Sequence, residues 1–229
     1  QAPKGRKGQR ALLKRVSRLR KAGALIRDAD TQSELLRCVL EPAGGSKGSS
    51  IGGAIALALE RYQSQREEGV RKLRRVARDM QPGDLAARAE KLLQRLPDRE
   101  GETFGSVARD ALGRLSEPIL ESRTSELQPL DEVHELRKAI KHFRYALAVC
   151  KPCFGFDHVK GLQDALTHVQ DRLGALNDTD GLVQRLSRWG KDDPSIRELA
   201  ARWESVRESR TAGFLQWWAR DGRKALVTA

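Results

Sequence analysis

The sequence predicts an all-α protein, and three observations lead to that fold class. Leu, Ala and Arg dominate the composition, and only 5% of the 229 residues are aromatic, which is typical of helical proteins. Apolar residues recur at spacings of three and four along most of the chain, which is the period of a helix with one buried face. No segment shows the strict alternation of a strand over a convincing length. The chain is long enough to bury a core without disulfides.

The segment from Asp131 to Val149 is predicted to form an amphipathic helix with one apolar and one cationic face. Successive side chains lie about 100° apart around a helix, which puts one set of apolar residues on one face: Val133, Leu136, Ala139, Ile140, Phe143 and Leu147. The opposite side forms a cationic arc of roughly 120°, made of His134, Arg137, Lys138, Lys141, Arg144 and Tyr145.

Glu135 is the last acidic residue of this helix. The acidic residues lie near the first turn, because carboxylates are favourable at a helix N-terminus. We therefore expect the cations of the arc to lack carboxylate partners and to bind an anion, because like charges held this close repel. The alternative is an ordinary solvated helix face.

Two other predicted helices carry cationic rows of the same kind. The α1 row, on a helix expected from Gln9 to Arg27, consists of Arg10, Lys14, Arg18 and Lys21, with Leu12, Val16 and Leu19 on another face. The α2 row, on a helix expected from Ala54 to Met80, consists of Arg71, Arg74, Arg75 and Arg78, with Val70, Leu73, Ala77 and Met80 opposite. The α2 row repeats the offsets of His134, Arg137, Lys138 and Lys141, so one geometry recurs in the chain.

The remaining elements are placed by capping residues and breakers. Residues 41–53, rich in Gly and Ser, are expected to form a flexible linker. Further helices are expected from Asp28 to Leu40, Asp84 to Leu96, Thr103 to Leu127 with a bend near Pro118, Asp157 to Leu176, Asp178 to Trp189, and Pro194 to Leu226.

Net charge points to an acidic partner. Lys and Arg number 43 against 31 Asp and Glu, which gives +12 at neutral pH, and such an excess favours binding to an acidic polymer. No apolar run of 18 or more residues is present, and the first ten residues lack the apolar segment of a signal peptide. We expect a soluble, cytoplasmic protein with no membrane partner. Because residue 1 is Gln, we expect the gene product to begin upstream.

Catalytic and metal-binding motifs are weak in this sequence. Cys150-Lys-Pro-Cys153, with His158 nearby, has the spacing of a redox or zinc pair, but it follows a helix and lacks the further ligands of a tetrahedral site. Reduced cysteines near a turn are the simpler interpretation. There is no P-loop, no Gly-rich nucleotide fingerprint, no carboxylate array for metal-assisted hydrolysis and no nucleophile in register with a base. We expect neither catalysis nor a cofactor.

Two short segments resemble each other 150 residues apart. They are Ala24-Leu-Ile-Arg-Asp-Ala-Asp30 and Gly174-Ala-Leu-Asn-Asp-Thr-Asp180. In each we expect one helix to end at the Ile or Leu and an Asp to cap the next, as a tight helix corner requires. The sequence thus predicts a duplicated helical unit.

The sequence resembles the CHAD family, the conserved histidine α-helical domains. The resemblance lies in two motifs in this order, Val133-His134-x-x-Arg137-Lys138-x-x-Lys141-x-x-Arg144-Tyr145 and Gln170-Asp-Arg-Leu-Gly174-Ala-Leu-Asn-Asp178. It implies a single domain over 1–229, with a first repeat over 1–128 and a second over 129–229. It further implies two four-helix bundles that turn basic faces toward a cavity.

The resemblance also implies that the domain binds inorganic polyphosphate, without catalysis, in the cytoplasm or at polyphosphate granules. The cationic arc would supply the contacts of the second repeat, and the α1 row would belong to the first. His134 either contacts the ligand or has a structural role. The polymer offers about one charge per phosphate, which suits rows of Arg and Lys about 5–6 Å apart on a helix.

Two features depart from the family pattern. Subtracting 150 from the position of His134 gives a position before residue 1, so the histidine helix of the first repeat is absent from this sequence. We expect the first bundle to be one helix short and its cavity open on that side. Ala24 also stands where the second repeat has Gly174, which is a mild change.

Two other functions remain open. A nucleic-acid-binding helical protein would use the same rows on a phosphate backbone, but no helix-turn-helix pattern is evident, and Trp189, Trp203, Trp217 and Trp218 occupy core-like positions. An enzyme that acts on triphosphates is the third possibility.

Overall fold

The computed structural model describes residues 5–40, 50–80, 82–94, 101–122 and 131–228, and within these ranges every regular element is a helix. The helices are α1 (Gly5–Leu40), α2 (Ser50–Arg78), α3 (Pro82–Leu93), α4 (Phe104–Glu121), α5 (Asp131–Cys150), α6 (Phe156–Trp189), α7 (Pro194–Trp217) and α8 (Arg223–Val227). A 3₁₀ turn, Lys151–Cys153, follows α5, and a π-helical turn, Trp218–Gly222, joins α7 to α8. The all-α prediction is confirmed for this part of the chain.

The chain divides into two compact units. Among the described residues, unit 1 comprises those of 1–99 together with Trp189–Leu199, and unit 2 comprises those of 100–188 and 200–229. The predicted repeat boundary between 128 and 129 lies outside the described residues.

Unit 1 is built on an antiparallel pair, α1 and α2, with α3 packed against α1. Arg66 on α2 donates to Asp30 on α1 at 2.7 Å, and a Cβ on Gly69 would lie 2.9 Å from Ile26. Later residues of α2 therefore contact earlier residues of α1, as antiparallel helices do. The glycine at position 69 therefore permits close approach of the two helices. Tyr62 is buried and meets the Trp189 ring edge-on at 4.9 Å.

Unit 2 buries one contiguous apolar cluster contributed by α4, α5, α6 and α7 with its π-helical turn. The α5 face predicted to be apolar is buried at Val133, Leu136, Ile140, Phe143 and Leu147, with Ala139 packed at the margin. Its partners on α6 include Leu166, Val169 and Leu173. Trp203 and Trp218 are buried, and Trp189 and Trp217 are half-buried.

The predicted helix corners at Asp28 to Asp30 and at Asp178 are wrong, because each lies inside one long helix. Instead of capping a helix, Asp30 pairs with Arg66 and Asp180 pairs with Arg207 on α7 at 2.9 Å. The buried stripe of each helix also continues through these segments, at Ala29 and Leu36 in α1 and at Thr179 and Leu186 in α6. Breaking either helix would interrupt that stripe and expose backbone groups.

Several other boundaries differ by a few residues from the prediction. The first helix begins at Gly5 rather than Gln9, and α2 begins at Ser50, so residues 50–53 of the predicted linker are helical; 41–49 lie outside the described residues. The third begins at Pro82 and ends at Leu93, before the predicted Leu96. A proline at the start of a helix loses no hydrogen bond. The fourth passes through Pro118 and ends at Glu121 instead of Leu127.

Two helix starts carry side-chain caps. Thr103 accepts from the Ser106 amide at 3.2 Å at the start of α4, as predicted. Before α7, Asp193 accepts hydrogen bonds from the Ser195 hydroxyl and from the Ile196 amide. These hydrogen bonds hold the pKa of Asp193 below its usual range, although the burial of the carboxyl acts in the opposite direction. Such caps satisfy amides that a helix leaves unpaired at its N-terminus.

Candidate anion-binding site

The cationic arc lies on α5, whose opposite face is anchored in the core of unit 2. Asp131 and Glu132 occupy the first turn, where they complement the helix dipole. His134, Lys138 and Tyr145 are exposed, whereas Arg137, Lys141 and Arg144 are half-buried. The burial of one face thus fixes the direction in which the cations project, and three of them are partly desolvated by their surroundings.

The two arginines of the arc each hold a buried donor without a partner. The Nε atoms of Arg137 and Arg144 are inaccessible to solvent and form no hydrogen bond within the described part of the chain. Buried N–H groups are nearly always paired, so these two call for an acceptor. They are seven residues apart, which places them about 10.5 Å apart along the helix axis.

Tyr145 is held between two cations of the arc. The Lys141 ammonium lies 5.8 Å and the Arg144 guanidinium 5.5 Å from the centre of its ring. Both distances are in the range of cation–π attraction. The ring is about half exposed, at 52%.

The prediction that the cations of the arc lack carboxylate partners is wrong at Lys138. Its ammonium pairs with Glu135 one turn earlier, and hydrogen bonding by Lys138 holds the pKa of Glu135 below its usual range. Both residues line a groove of about 560 Å³ between α4 and α5, together with Arg114 and His142. Lys138 therefore belongs to the edge of the arc and to this groove, which the sequence interpretation did not single out.

The α2 row is fully on the surface. Arg71, Arg74, Arg75 and Arg78 are all exposed, as is the neighbouring Lys72, which pairs with Glu68 at 2.5 Å. The hydrogen bond from Lys72 lowers the pKa of Glu68, and Arg71 adds to the effect. The opposite face holds Val70, Leu73 and Met80 as predicted, but Ala77 is exposed.

The α1 row is also exposed at all four positions, Arg10, Lys14, Arg18 and Lys21. Because Arg66 meets Asp30 and Gly69 meets Ile26, the segment from Arg71 to Arg78 runs alongside the half of α1 that carries Arg18 and Lys21. Unit 1 therefore concentrates both rows in one half of its antiparallel pair. The predicted apolar face of α1 is only partly covered, since Val16 is 47% exposed.

Gln170 on α6 is a polar residue of the motif Gln170 to Asp178, and the sequence alone predicts no role for it. Its Oε1 atom is buried and without a hydrogen-bond partner in the described part of the chain. Its position inside the second motif was the signal that could have drawn attention to it. Nearby on the same helix, Arg172 donates to His168 and stacks 4.3 Å above the Trp217 ring, so its guanidinium is fixed on the surface.

The cysteines carry no disulfide. Cys150 is buried at the end of α5, Cys153 is half-buried in the 3₁₀ turn and Cys38 is exposed. The side chain of His158 lies outside what the structure describes. Within the described ranges no three His, Cys, Asp or Glu side chains gather as a metal site would require, and no helix is long and apolar enough to cross a membrane.

Comparison with known protein families gives one match. The family model described as CHAD domain matches residues 4–187, which is most of the chain. The chain belongs to the CHAD domain family. The matched range includes the α1 row, the α2 row and the whole cationic arc of this CHAD domain. Comparisons with curated proteins and with solved structures gave no match.

Proposed function

We propose that this CHAD domain binds inorganic polyphosphate through basic helix faces, without catalysis, and so docks on polyphosphate in the cell. The cationic arc of α5 is the principal contact, and the α1 and α2 rows bind further along the polymer. The observation that carries the proposal is the pair of buried Nε atoms of Arg137 and Arg144, for which the described part of the chain offers no hydrogen-bond partner.

Those two donors support an anionic ligand for an energetic reason. A buried polar group without a partner costs about 1–3 kcal/mol, and more when the group is charged. A phosphate oxygen accepts hydrogen bonds from guanidinium groups in a forked geometry. An oligophosphate along α5 would pair with both guanidinium groups once the two side chains turn to expose their Nε atoms, and it would neutralise Lys141 between them.

The linear arrangement of the cations supports a polymer over a compact anion. The arc extends from His134 to Tyr145, eleven residues or about 16 Å along the axis. A chain of phosphates carries regularly spaced charge and no base to be read. Docking or localisation is the role we assign, at polyphosphate granules in the cytoplasm, because rows of charge along a helix suit the binding of a polyanion.

Calorimetric titration tests the proposal on four proteins. Wild type, Arg137→Glu/Lys141→Glu and the matched control Lys160→Glu/Lys224→Glu are titrated with long-chain polyphosphate and with duplex DNA at equal phosphate, in about 150 mM salt. The control changes net charge by the same amount at two exposed cations of unit 2. A fourth protein, Tyr145→Phe, keeps the ring and removes its hydroxyl.

We expect polyphosphate to bind more tightly than DNA, and the arc variant to lose at least about tenfold in affinity while the control loses much less. Tyr145→Phe reports whether the hydroxyl contributes. Equal and weak binding of both polymers, unchanged by the arc variant, would contradict the proposal.

Non-specific binding of nucleic acid is the alternative, and one observation favours it. All four arginines of the α2 row are exposed, which suits contact with a duplex backbone as well as with polyphosphate. Under this alternative DNA would bind at least as tightly as polyphosphate, and Arg74→Glu/Arg75→Glu would weaken it more than the arc variant does.

A further inference from the structure

Gln170 on α6 holds a buried polar atom that the cationic arc alone does not explain. Its Oε1 atom is inaccessible to solvent and forms no hydrogen bond within the described part of the chain, although buried side-chain oxygens are nearly always paired. The side chain is half-buried and lies beside the stripe of α6 that enters the core of unit 2, Leu166, Val169 and Leu173. Gln170 therefore lies at the margin of that core and not in its centre.

The side of α6 that carries Gln170 is the opposite side from α7. Around the helix, Gln163 and Gln170 lie on one side of the buried stripe, and His168 and Arg172 lie on the other. The Trp217 ring of α7 is centred 4.3 Å from the Arg172 guanidinium and 5.4 Å from the centre of the His168 ring. Because α7 occupies the side of His168 and Arg172, the two glutamines border a different neighbour.

The fifth helix likewise has two sides, and α4 occupies one of them. The groove between α4 and α5 is lined from α5 by residues that include Glu135 and Ala139. The half-buried cations Arg137, Lys141 and Arg144 lie on the other side of the buried face of α5. That side is therefore turned away from α4.

The short link between α5 and α6 makes these two helices antiparallel neighbours. Only residues 151–155 separate the end of α5 at Cys150 from the start of α6 at Phe156, and helices joined by so few residues pack side by side in opposite directions. Both helices contribute to one core. Since α4 and α7 take the other sides, the arginine side of α5 and the glutamine side of α6 border the same groove. Both sides also lie in the same rotational sense from their buried faces, as facing sides of antiparallel helices do.

The two glutamines of α6 lie at the heights of the two arginines of α5. Arg137 is thirteen residues before the end of α5, and Gln170 is fourteen residues after the start of α6. Arg144 and Gln163 are six and seven residues from the same ends. Each pair is thus level to within about one residue, or 1.5 Å, and the two pairs are about 10.5 Å apart. We call this surface the α5–α6 groove: Arg137, Lys141 and Arg144 on α5, with Gln163 and Gln170 on α6.

Gly174 leaves open space one turn beyond Gln170, on the same side of α6. A glycine inside a helix is destabilising relative to alanine. Nothing in the described part of the chain lies within 4 Å of the place that its Cβ would occupy, so packing does not require a glycine there. An unpaired buried oxygen and a glycine that packing does not require are two neighbouring departures from what favours folding. Such departures are expected where a ligand binds.

We propose that polyphosphate lies along the α5–α6 groove and that Gln170 contacts it. The proposal rests on the polyphosphate binding proposed above and adds the second wall of that site. A side-chain amide supplies both kinds of group that the groove needs, since its oxygen accepts from a guanidinium and its NH₂ group donates to a phosphate oxygen. It does so without a carboxylate, which would repel the polymer. Packed helices have axes about 8–10 Å apart, so the groove between them suits a single chain of phosphates and not a duplex.

Substitutions at Gln170 test the groove by calorimetric titration with long-chain polyphosphate in about 150 mM salt. Gln170→Met keeps the length of the side chain and removes both polar groups. Gln170→Glu keeps the shape and adds a carboxylate. Gln216, an exposed glutamine on α7, supplies the matched controls Gln216→Met and Gln216→Glu. Thermal unfolding of each ligand-free variant distinguishes a ligand contact from a structural role.

We expect Gln170→Glu to weaken polyphosphate binding at least about tenfold and Gln216→Glu to weaken it by no more than about twofold. Gln170→Met should weaken binding about three- to tenfold, the loss expected for one hydrogen bond. It should not lower the melting temperature, because it replaces an unpaired buried oxygen by an apolar group. Binding of duplex DNA should change equally in Gln170→Glu and Gln216→Glu, because the duplex does not enter the groove.

A second substitution tests the open space beside Gly174. Gly174→Leu places an apolar side chain in the groove and should weaken polyphosphate binding about tenfold. Gly213→Leu is the matched control, because Gly213 is an exposed glycine inside α7 that also has nothing within 4 Å of its Cβ position. Both variants should retain the fold, since leucine favours a helix more than glycine does. Equal affinities of the two variants would contradict the proposed path of the polymer.

Three further results would overturn the proposal. One is a melting temperature that falls with the affinity in Gln170→Met, which would show a structural role. Another is equal polyphosphate affinity of Gln170→Glu and Gln216→Glu. Wild type and Arg137→Ala are titrated in parallel: if Arg137→Ala weakens binding and Gln170→Glu does not, the α5–α6 groove is wrong and the proposed function is retained. If wild type does not bind polyphosphate, both proposals are wrong.

Discussion

The arc on α5 and the row on α2 have the same spacing of cations but different surroundings. On α5, Arg137 and Arg144 are half-buried, and each has an Nε atom that is hidden from solvent and has no hydrogen-bond partner among the residues that the structure describes. On α2, all four arginines are exposed, and an adjacent ion pair, Glu68 with Lys72, lies in solvent. Sequence spacing alone does not distinguish these two surfaces.

The difference teaches that burial decides what a row of cations can do. Exposed cations interact weakly, are screened by salt and contribute at most about 1 kcal/mol to a pair. A partly buried guanidinium with an unsatisfied donor gains more from an anion, because the anion replaces a missing hydrogen bond and not a well-hydrated one. We therefore expect the arc to determine affinity and the exposed rows to add length-dependent, salt-sensitive binding.

The largest effect is expected from removing the support of the arc. Leu173 is fully buried on α6 and belongs to the core that anchors α5. Leu173→Ala should lower the free energy of unfolding by about 2–5 kcal/mol, through lost burial and the cavity left behind. Urea unfolding measures it, with Val149→Ala, 69% exposed on α5, as a control that should change by less than about 0.5 kcal/mol.

The second prediction compares single arginines from the two surfaces. Arg137→Ala should weaken polyphosphate binding by about 10- to 100-fold, since a hydrogen bond to a charged group contributes about 1.5–3 kcal/mol. Arg74→Ala should weaken it by no more than about fivefold. Titration of both variants with polyphosphate measures the ratio of the two losses in affinity. Equal losses would show that the burial of Arg137 on α5 does not matter for binding.

The salt dependence of polyphosphate affinity also distinguishes the α2 row from the cationic arc of α5. Replacing Arg71, Arg74, Arg75 and Arg78 together by Gln should flatten the slope of log affinity against log salt, because fewer counterions are released. At high salt the affinity of that variant should approach that of wild type. A steeper slope, or a deficit that persists at high salt, would assign the tight contacts to α2 instead.

Sequence patterns predicted the helical class and the buried face of α5 well, because both follow from a repeated local spacing. They failed at the two predicted helix corners, Asp28 to Asp30 and Asp178, because each lies inside one long helix in which a nearby carboxylate, Asp30 or Asp180, forms an ion pair. What decides those positions is non-local: Arg66 and Arg207 come from other helices and pair with the two carboxylates. An ion pair between distant segments leaves no periodic signal in the chain.

The candidate site was predictable in composition but not in accessibility. The sequence placed Arg137, Lys138 and Arg144 on one arc, and the i,i+3 spacing of Glu135 and Lys138 was a local signal for their pair that the prediction did not use. The groove that both residues line depends on the packing of α4 against α5. The burial of both arginine Nε atoms likewise depends on neighbouring elements and not on α5 alone.

A smaller effect is expected at the start of α4, the helix against which α5 packs. Thr103→Ala removes the side-chain oxygen that accepts from the Ser106 amide, and should cost about 1 kcal/mol in the free energy of unfolding. Thr103→Asn retains an acceptor and should recover most of the loss. If Arg137 is positioned by the bundle as a whole, polyphosphate affinity should barely change in either variant.

The smallest effect is expected at Glu135, and it tests whether Lys138 acts with the arc. Lys138 lowers the pKa of Glu135 in the folded protein, so the stabilisation from their pair is present above the unfolded pKa of the carboxyl and is lost as pH falls through the folded pKa. Glu135→Gln should therefore be slightly less stable than wild type at neutral pH and equal to it in strong acid. The same variant frees the ammonium of Lys138 from its carboxylate partner, so polyphosphate affinity should rise by about twofold. Glu117→Gln, an exposed carboxylate on α4, is the matched control; an equal rise in both variants would reflect net charge alone and would place Lys138 outside the site.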